Sequence, residues 1–284
     1  MNGPPRSLCL LPPERALPCL GRPGATDMTA SIQLQHKPEV QYVLRLADTN
    51  LILAQRLAEW CGHAPVLEED IALANMSLDL VGQARALLTR AGELEGRGHD
   101  EDQLAFLRDE RDYCNATLVE LPRGDFAFTV LRNLFIATWS KLLWEQLLDS
   151  SDAELAAIAG KAVKEVRYHQ QHAADWVVRL ADGTEESRRR IDVALDASWR
   201  YTNELFGADA VDEHAHATRL GPRWADLRSA WLVEIVDMFA AGGLPVPAPS
   251  RFVSTGTRGV HSEHMGHLLA EMQHLQRAYP GGVW

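Results

Sequence analysis

Acidic side chains on long predicted helices are the residues of this chain whose types and spacing could bind a metal. A di-iron site in a four-helix bundle takes a glutamate from each of two helices and a Glu-x-x-His pair from each of the other two. The sequence offers Asp48, Asp79 and Glu165 at acid positions. Carboxylates and imidazoles suit iron, and a three-residue step places two ligands on one helix face. These three acids are therefore the first candidates for a metal site.

The other positions of the same pattern carry no ligand. Gly82 follows Asp79 by three residues and Tyr168 follows Glu165 by three, where histidines are required. Ala137 stands at the acid position of the third long helix. Three acids without an imidazole predict an incomplete site, so we expect no bound metal and no catalytic residue in this chain. A buried acid without metal then needs a basic partner, a proton or water.

Two groups of histidines leave alternatives open. Glu165, His169 and His172 share one face of the fourth long helix and could hold a metal in an unorthodox arrangement. We favour a hydrogen-bonded network, because ligands from other helices are missing. A second group could ligate zinc by its spacing, but the His-Glu-x-x-His signature is absent, so we favour a packed or interfacial helix end. Its members are His261, Glu263, His264, His267 and His274.

The elements that must position these residues are helices from Pro38 almost to the C-terminus. Apolar residues recur there at three- and four-residue steps, and no alternating strand is evident. Residues 207–223 read as a polar, histidine-containing loop, and residues 242–250 as a linker. The pattern predicts one all-α domain with four long core helices and additional C-terminal helices. The predicted helices span residues 38–62, 67–94, 100–115, 126–148, 153–180, 185–206, 224–241 and 263–278.

Residues 1–37 are predicted to be a disordered or extended N-terminal extension, followed by the helical domain at residues 38–284. The extension holds six prolines and three glycines without periodicity. Such a composition buries too little apolar surface to offset the entropy of ordering. Met28 is either the true start of the protein, with residues 1–27 upstream of it, or an ordinary methionine of a natural tail.

Composition and charge exclude several classes of partner. The formal net charge of −11 disfavours binding to nucleic acid and to anionic membranes. The four cysteines form no Cys-x-x-Cys pair, which is typical of a reducing compartment. No apolar run reaches the roughly 18 residues of a membrane span. We therefore predict a cytoplasmic protein.

Six strings carry a family resemblance. They are 44–48 (LRLAD), 55–65 (QRLAEWCGHAP), 73–85 (LANMSLDLVGQAR), 106–111 (FLRDER), 164–169 (KEVRYH) and 268–277 (LLAEMQHLQR). Together they resemble the structural C subunits of the multicomponent ring-1,2-phenylacetyl-CoA epoxidases. The resemblance covers roughly residues 40–284 and leaves residues 1–37 out.

The resemblance implies a ferritin-like fold and a non-catalytic role without a cofactor in this chain. It implies a homologous catalytic A subunit that carries the di-iron centre. It also implies a small B subunit and a reductase that passes electrons from NADPH through FAD and an iron–sulfur cluster. The reaction is the epoxidation of the aromatic ring of phenylacetyl-CoA with O₂ in aerobic phenylacetate catabolism. Homo- and hetero-oligomers are expected.

The resemblance also suggests contact with the acyl-CoA near the interface between the A and C subunits. By position, the candidates are Tyr113, Cys114, Asn115 and Ala116 in one segment and His214, Ala215 and His216 in another. Arg108 and Arg111 could face a CoA phosphate. The alternatives are a helix end, a solvated loop and a salt-bridged surface.

Two rival functions stay open from the sequence. The chain could be a self-sufficient di-iron oxygenase that uses the three acids with His169 and His172, which stoichiometric iron in the purified chain would support. It could also be a stand-alone acyl-CoA-binding protein, which calorimetry with phenylacetyl-CoA would test. Four tryptophans are either anchors of a subunit interface or core residues: Trp139, Trp144, Trp199 and Trp231.

Overall fold

The computed structural model describes residues 31–280 and Gly282, and this part of the chain contains helices and no strand. The α-helices are α1 (Pro38–Ala58), α2 (Leu67–Glu95), α3 (Glu101–Phe106), α4 (Thr117–Glu120), α5 (Phe126–Leu147), α6 (Ala153–Ala181), α7 (Glu185–Ser198), α8 (Ala210–Ala217), α9 (Arg228–Ala241), α10 (Glu263–Met272) and α11 (His274–Ala278). Short 3₁₀ helices cover Glu110–Asp112, Trp199–Phe206, Trp224–Leu227 and Gly256–Arg258.

The core consists of two helical hairpins, α1 with α2 and α5 with α6, and the hairpins meet where α2 packs on α6. Helix α5 is apolar on all sides, and most of its residues from Ala127 to Leu147 are buried. A helix without a polar face must lie in the interior. The prediction of an all-α, ferritin-like four-helix core with additional C-terminal helices is confirmed.

Aromatic side chains attach the later helices to α5. The Phe135 ring lies 5.8 Å from the Trp231 ring and 5.7 Å from the Trp199 ring. The indole of Trp231 donates a hydrogen bond of 3.0 Å to the carbonyl of Phe135. Trp139, Trp144 and Trp231 are buried, and Trp199 packs half-buried against the core. The four tryptophans are therefore core residues rather than surface anchors.

Residues 31–37 run without helix along the C-terminal end of α2. The Gln35 amide donates to a carboxylate oxygen of Glu95 (2.9 Å), and the Lys37 ammonium donates to the carbonyls of Leu94 and Glu95. This part of the predicted extension is extended and hydrogen-bonded to the bundle. The predictions for residues 1–30, including the role of Met28, lie outside the described residues.

Three predicted segments are wrong in detail. The single helix expected at residues 100–115 is the short α3, capped by Asp100, followed by one 3₁₀ turn and an extended segment. Residues 199–206 continue α7 as a 3₁₀ helix. The expected histidine loop contains α8, whose first turn is capped by Asp209 through hydrogen bonds from the amides of Val211 and Asp212. Such short helices depend on caps and tertiary partners more than on periodicity.

Within the described residues, no helix combines the length and apolarity that crossing a bilayer requires.

Candidate functional site

Asp48 lies at 0% exposure in the middle of α1. Its partner is an arginine, and it is not grouped with the other acids of the di-iron pattern. The Arg108 guanidinium donates to both carboxylate oxygens of Asp48, one of them at 3.0 Å. The amide of Cys114 donates a third hydrogen bond of 2.8 Å. Burial disfavours a charged guanidinium, but the charge and hydrogen bonds of Asp48 outweigh it and raise the pKa of Arg108. The pair is a closed internal ion pair.

Asp79 and Glu165 belong to a different polar group, between α2 and α6. Asp79 contacts the His169 ring at 3.0 Å, and Glu165 accepts from the Gln83 amide at 2.9 Å. Gln83 in turn accepts from Asn50 on α1 at 3.2 Å. Burial lowers the pKa of His169, although the hydrogen bond and charge of Asp79 oppose that shift.

His172, one turn along α6, contacts Glu69 at 2.8 Å. The three residues that could have held a metal on α6 thus have three different partners on α2, namely Gln83, Asp79 and Glu69. This arrangement is the hydrogen-bonded network that the sequence favoured over a metal site.

The remaining positions of the di-iron pattern do not converge on these acids. Ala137 is buried in the core of α5. Gly82 is half-buried, and the nearest atom to an added side chain there is the Lys161 ammonium. Tyr168 is 52% exposed, and its ring lies about 6 Å from the rings of both His169 and His172. Tyr168 lies on the outer side of α6, whereas Gly82 is half-buried beside Lys161, so the replacement of ligand histidines at these two positions stays a prediction.

These side chains do not fit a di-iron centre. Both oxygens of Asp48 are engaged by Arg108, and Asp79 and Glu165 share no ligand position with it. Throughout the described residues, no three histidine, cysteine, aspartate or glutamate side chains are grouped closely enough to hold a metal ion.

A cleft of about 410 Å³ opens beside the Tyr113–Ala116 segment. Within the segment, Tyr113, Asn115 and Ala116 are buried, and Cys114 reaches the cleft wall. Burial, with the nearby Asp48 charge, raises the pKa of the Cys114 thiol to about 12, so this thiol is a poor nucleophile. The cleft is lined by His36, Gln41, Arg45, Arg111, Asp112, Cys114, Asp209, Ala210, Val211, Thr257 and Arg258.

Three arginines line the cleft, and the sequence pointed only to Arg111 among them. Arg45, buried in α1, donates hydrogen bonds to both carboxylate oxygens of Asp209, one of them at 3.1 Å. It also donates to Asp212 at 3.4 Å. Burial opposes the ionisation of Asp209, but the bond and charge of Arg45 lower its pKa; burial raises the pKa of Asp212. Arg258 also approaches Asp209, at 3.7 Å. Arg111 forms no ion pair with any described residue and is exposed at the rim.

The other predicted contact segment is divided by the structure. Ala215 lies on the buried side of α8, while His214 faces Glu39 at 3.6 Å and His216 lines a separate cleft of about 350 Å³ with Arg219. Only the first turn of α8 reaches the cleft beside Cys114. Arg108 faces inward to Asp48, so it is not available to a phosphate.

The C-terminal histidines also separate. The side chain of His261 is buried between Glu120 and the carbonyl of Tyr113, whereas His267 and His274 are exposed. Sequence reasoning missed Glu120 and Glu204, two acids at 0% and 3% exposure. Glu204 accepts from the amides of Thr117 and Thr257 and from the Ser254 hydroxyl. A signal for Glu120 was its place in the apolar string Thr117–Leu121, where an acid needs a partner.

Comparison with known proteins gives a family and a relative for this chain. A family model for phenylacetic acid catabolic proteins matches residues 23–284. The C subunit of the 1,2-phenylacetyl-CoA epoxidase of Escherichia coli (strain K12) is 48% identical over 243 residues, covering 86% of this chain and 98% of that protein. The resemblance read from the six strings is thereby confirmed, and the family match starts earlier, at residue 23. The chain therefore belongs to the phenylacetic acid catabolic protein family.

Proposed function

We propose that this chain is the non-catalytic structural subunit of a cytoplasmic phenylacetyl-CoA epoxidase complex. The observation that carries the proposal is the Asp48–Arg108 pair. Asp48 is the acid that a di-iron site would use on α1, and here it is bonded to a guanidinium instead. The di-iron centre then belongs to a homologous catalytic subunit. A small subunit and a reductase with FAD and an iron–sulfur cluster, fed by NADPH, complete the electron supply.

The face of α2 that points away from α1 supports a role in assembly. Four large apolar residues of α2 are exposed along it, namely Leu67, Ile71, Leu78 and Val81, and Val66 is exposed just before the helix begins. Tyr168 is exposed on the neighbouring helix α6. Exposed apolar surface of this kind marks interaction sites. Helix α2 has 29 residues and is about 43 Å long, so a bundle packed along it forms an interface in the range of permanent complexes.

We assign this face to the catalytic subunit. The Escherichia coli relative is one named subunit of an epoxidase, so proteins of this kind have partner subunits. A second bundle of the same architecture offers helices long enough to cover α2 from end to end. Such a partner stabilises the catalytic bundle, whose ligands must keep their geometry within about half an ångström.

A second part of the proposal concerns the acyl-CoA. The cleft beside Cys114 contains Arg45, Arg111 and Arg258 against Asp112 and Asp209. Guanidinium groups bind phosphates with two parallel hydrogen bonds, and Arg111 has its donors free of described ion-pair partners. We propose that the phosphates of phenylacetyl-CoA contact this cleft while the ring reaches the catalytic subunit. The predicted contact at Tyr113–Ala116 is kept. His214, Ala215 and His216 do not line this cleft, which α8 reaches only through Ala210 and Val211.

Iron analysis and reconstitution test the main proposal against the oxygenase alternative. The purified chain should contain far less than one iron per molecule after anaerobic loading. Epoxidation of phenylacetyl-CoA should require the catalytic subunit, and it should fall sharply when this chain is left out. Two irons bound by this chain alone, or turnover by it alone, would replace the proposal with the self-sufficient oxygenase.

An interface variant tests the assembly role separately. Ile71→Arg with Leu78→Arg places two charges on the α2 face and should abolish co-purification with the catalytic subunit. Val233→Arg is the matched control, because Val233 is 61% exposed but lies on α9. Loss of the complex in the control alone would assign the interface to α9 instead.

Calorimetry separates the acyl-CoA role from the stand-alone binding alternative. Phenylacetyl-CoA should bind the complex more tightly than it binds the isolated chain, and Arg111→Ala should weaken binding to the complex. Saturable, tight binding to the isolated chain, unchanged by the catalytic subunit, would favour the stand-alone binding protein.

A further inference from the structure

The C-terminal segment from Thr255 to Ser262 closes over the Tyr113–Ala116 loop, and its contacts are unusually close. The amide of Gly256 donates to the Thr117 hydroxyl at 3.1 Å. Gly259 has φ = +74°, and a side chain there would collide with the Arg111 carbonyl. Glycine is therefore required for this approach, which a residue with a Cβ atom would prevent.

His261 stands at the centre of this closure. Its Nδ1 lies 2.7 Å from a carboxylate oxygen of Glu120, and its Nε2 lies 3.0 Å from the carbonyl oxygen of Tyr113. The side chains of His261 and Glu120 are both at 0% exposure. Neither a carboxylate nor a carbonyl oxygen can donate, so both ring nitrogens must carry a proton to form both bonds. The geometry describes a buried imidazolium.

The partner of the ring has the environment of a charged carboxylate. Glu120 also accepts from the Asn115 side chain at 3.0 Å and from the amide of Ser262 at 2.6 Å. Three donors directed at two oxygens suit a carboxylate and not a protonated acid. The same residue therefore links the loop, through Asn115, to the C-terminal segment, through His261 and Ser262.

The charges around the ring favour the imidazolium. Glu120 on α4 bonds it, and Asp48 on α1 acts on it at longer range and is itself paired with Arg108. Burial disfavours the charged ring, but the bond and charge of Glu120 and the Tyr113 carbonyl outweigh burial and raise the pKa of His261. A raised folded-state pKa means that the stabilisation is complete below the ordinary value of 6.5 and is lost as the pH rises through the folded value.

We propose that His261 is a positioning residue that holds the Tyr113–Ala116 loop as one wall of the arginine cleft through its two simultaneous donated hydrogen bonds. The loop carries Cys114 on the cleft wall, and Arg111 enters the cleft two residues before Tyr113. Deprotonation removes one donated bond, so the wall loosens as the pH rises and the cleft loses its shape. The consequence for acyl-CoA rests on the proposed function; the positioning itself does not.

Nitrogen-detected NMR and hydrogen exchange on the full-length chain test the positioning without any ligand. At pH 6, both ring nitrogens of His261 should show the protonated signal, with a titration midpoint above 6.5. The amides of Cys114 and Ser262 should be protected at pH 6, and their protection factors should fall as the ring titrates. His261→Gln should lower this protection at least about tenfold at pH 6, because a hydrogen bond to a charged group is lost.

The matched control is His267→Gln, an exposed histidine on the helix that follows His261, which should leave protection unchanged. His261→Lys keeps a charged donor to Glu120 and should restore part of the protection. A neutral His261 ring at pH 6, or equal protection in the His261→Gln and His267→Gln variants, would overturn the proposal. If only folding were impaired in His261→Gln, the ring protonation of the wild-type chain would still decide the question.

Titration of the complex with phenylacetyl-CoA adds the functional readout. The dissociation constant should rise as the pH passes the His261 midpoint in the wild type, and this pH dependence should be absent in His261→Gln. If the wild-type complex does not bind through this cleft, judged by an unchanged affinity in Arg111→Ala, the acyl-CoA proposal fails. The exchange data still confirm or refute the positioning role in that case.

Discussion

Removing the arginine from the buried Asp48–Arg108 pair is the most direct test of how this bundle treats its interior acid. In Arg108→Met, Asp48 keeps one described hydrogen bond, from the Cys114 amide, and the carbonyls of Leu104 and Asp112 lose the bonds that the guanidinium donates. Both members of the pair are at 0% exposure, so solvent cannot replace the guanidinium without rearrangement. Breaking a buried pair in this way costs about 3–5 kcal/mol.

Thermal unfolding followed by circular dichroism measures the loss. For a domain of this size the cost corresponds to a fall in Tm of about 6–20 °C. The control is Arg85→Met, because Arg85 forms a comparable ion pair with Glu101 at 3.1 Å but is 74% exposed. That surface pair should contribute less than about 1 kcal/mol.

A double-mutant cycle gives the decisive comparison. Asp48→Leu combined with Arg108→Met removes both charges, so the double variant should be more stable than Arg108→Met alone. The coupling energy between the two sites should be about 2–3 kcal/mol. Additive losses, or an Arg108→Met variant as stable as the wild type, would refute the reasoning and reopen Asp48 as a residue available to another ligand.

Three further outcomes follow from the geometry. Trp231→Ala should cost about 3–5 kcal/mol in urea denaturation, because its ring and its bond to α5 are lost, while Val233→Ala on the exposed side of α9 should change stability by about 0.5 kcal/mol or less. Alkylation at pH 8, followed by peptide mapping, should modify exposed Cys61 much faster than Cys114, whose thiol pKa is raised to about 12; equal rates would contradict that burial. Burial raises the pKa of the Asp212 carboxyl from its ordinary 3.8 to about 7. The folded state therefore binds the carboxyl proton more tightly than the unfolded state does, and the free energy of unfolding falls as the pH rises between these two values. Asp212→Asn should flatten this part of the stability profile, and an unchanged slope would exclude Asp212 as its source.

Much of the architecture could be predicted from the sequence because long helices carry their own signals. The apolar steps of α1 and α6, Pro38 in the first turn of α1, and the capping residue of α6, Asp152, all lie in local sequence. The short elements were predicted poorly for a physical reason. Helices α3 and α8 are too short to be stable alone, and they form because Asp100, Asp209 and the surrounding chain supply hydrogen bonds.

The candidate site likewise combines features that local sequence predicted with contacts that only the tertiary structure showed. Residue types alone indicated that the di-iron pattern lacks its histidines, and they favoured a hydrogen-bonded network over a metal site on the face of Glu165, His169 and His172. They did not indicate which partner each acid has. Asp48 meets Arg108 from 60 positions further along the chain, Asp79 meets His169, and Glu120 meets His261 across 141 positions.

The sequence by itself determined an all-helical bundle with an incomplete set of iron ligands, because periodicity and residue type are local properties. The tertiary structure decided that Asp48 is paired with an arginine, that Arg45 and Arg111 share a cleft with Cys114, and that His261 joins the C-terminal segment to the Tyr113 loop. These partnerships depend on how distant helices rotate and pack against each other. A buried charge is stabilised only by the group that this packing brings within hydrogen-bonding distance.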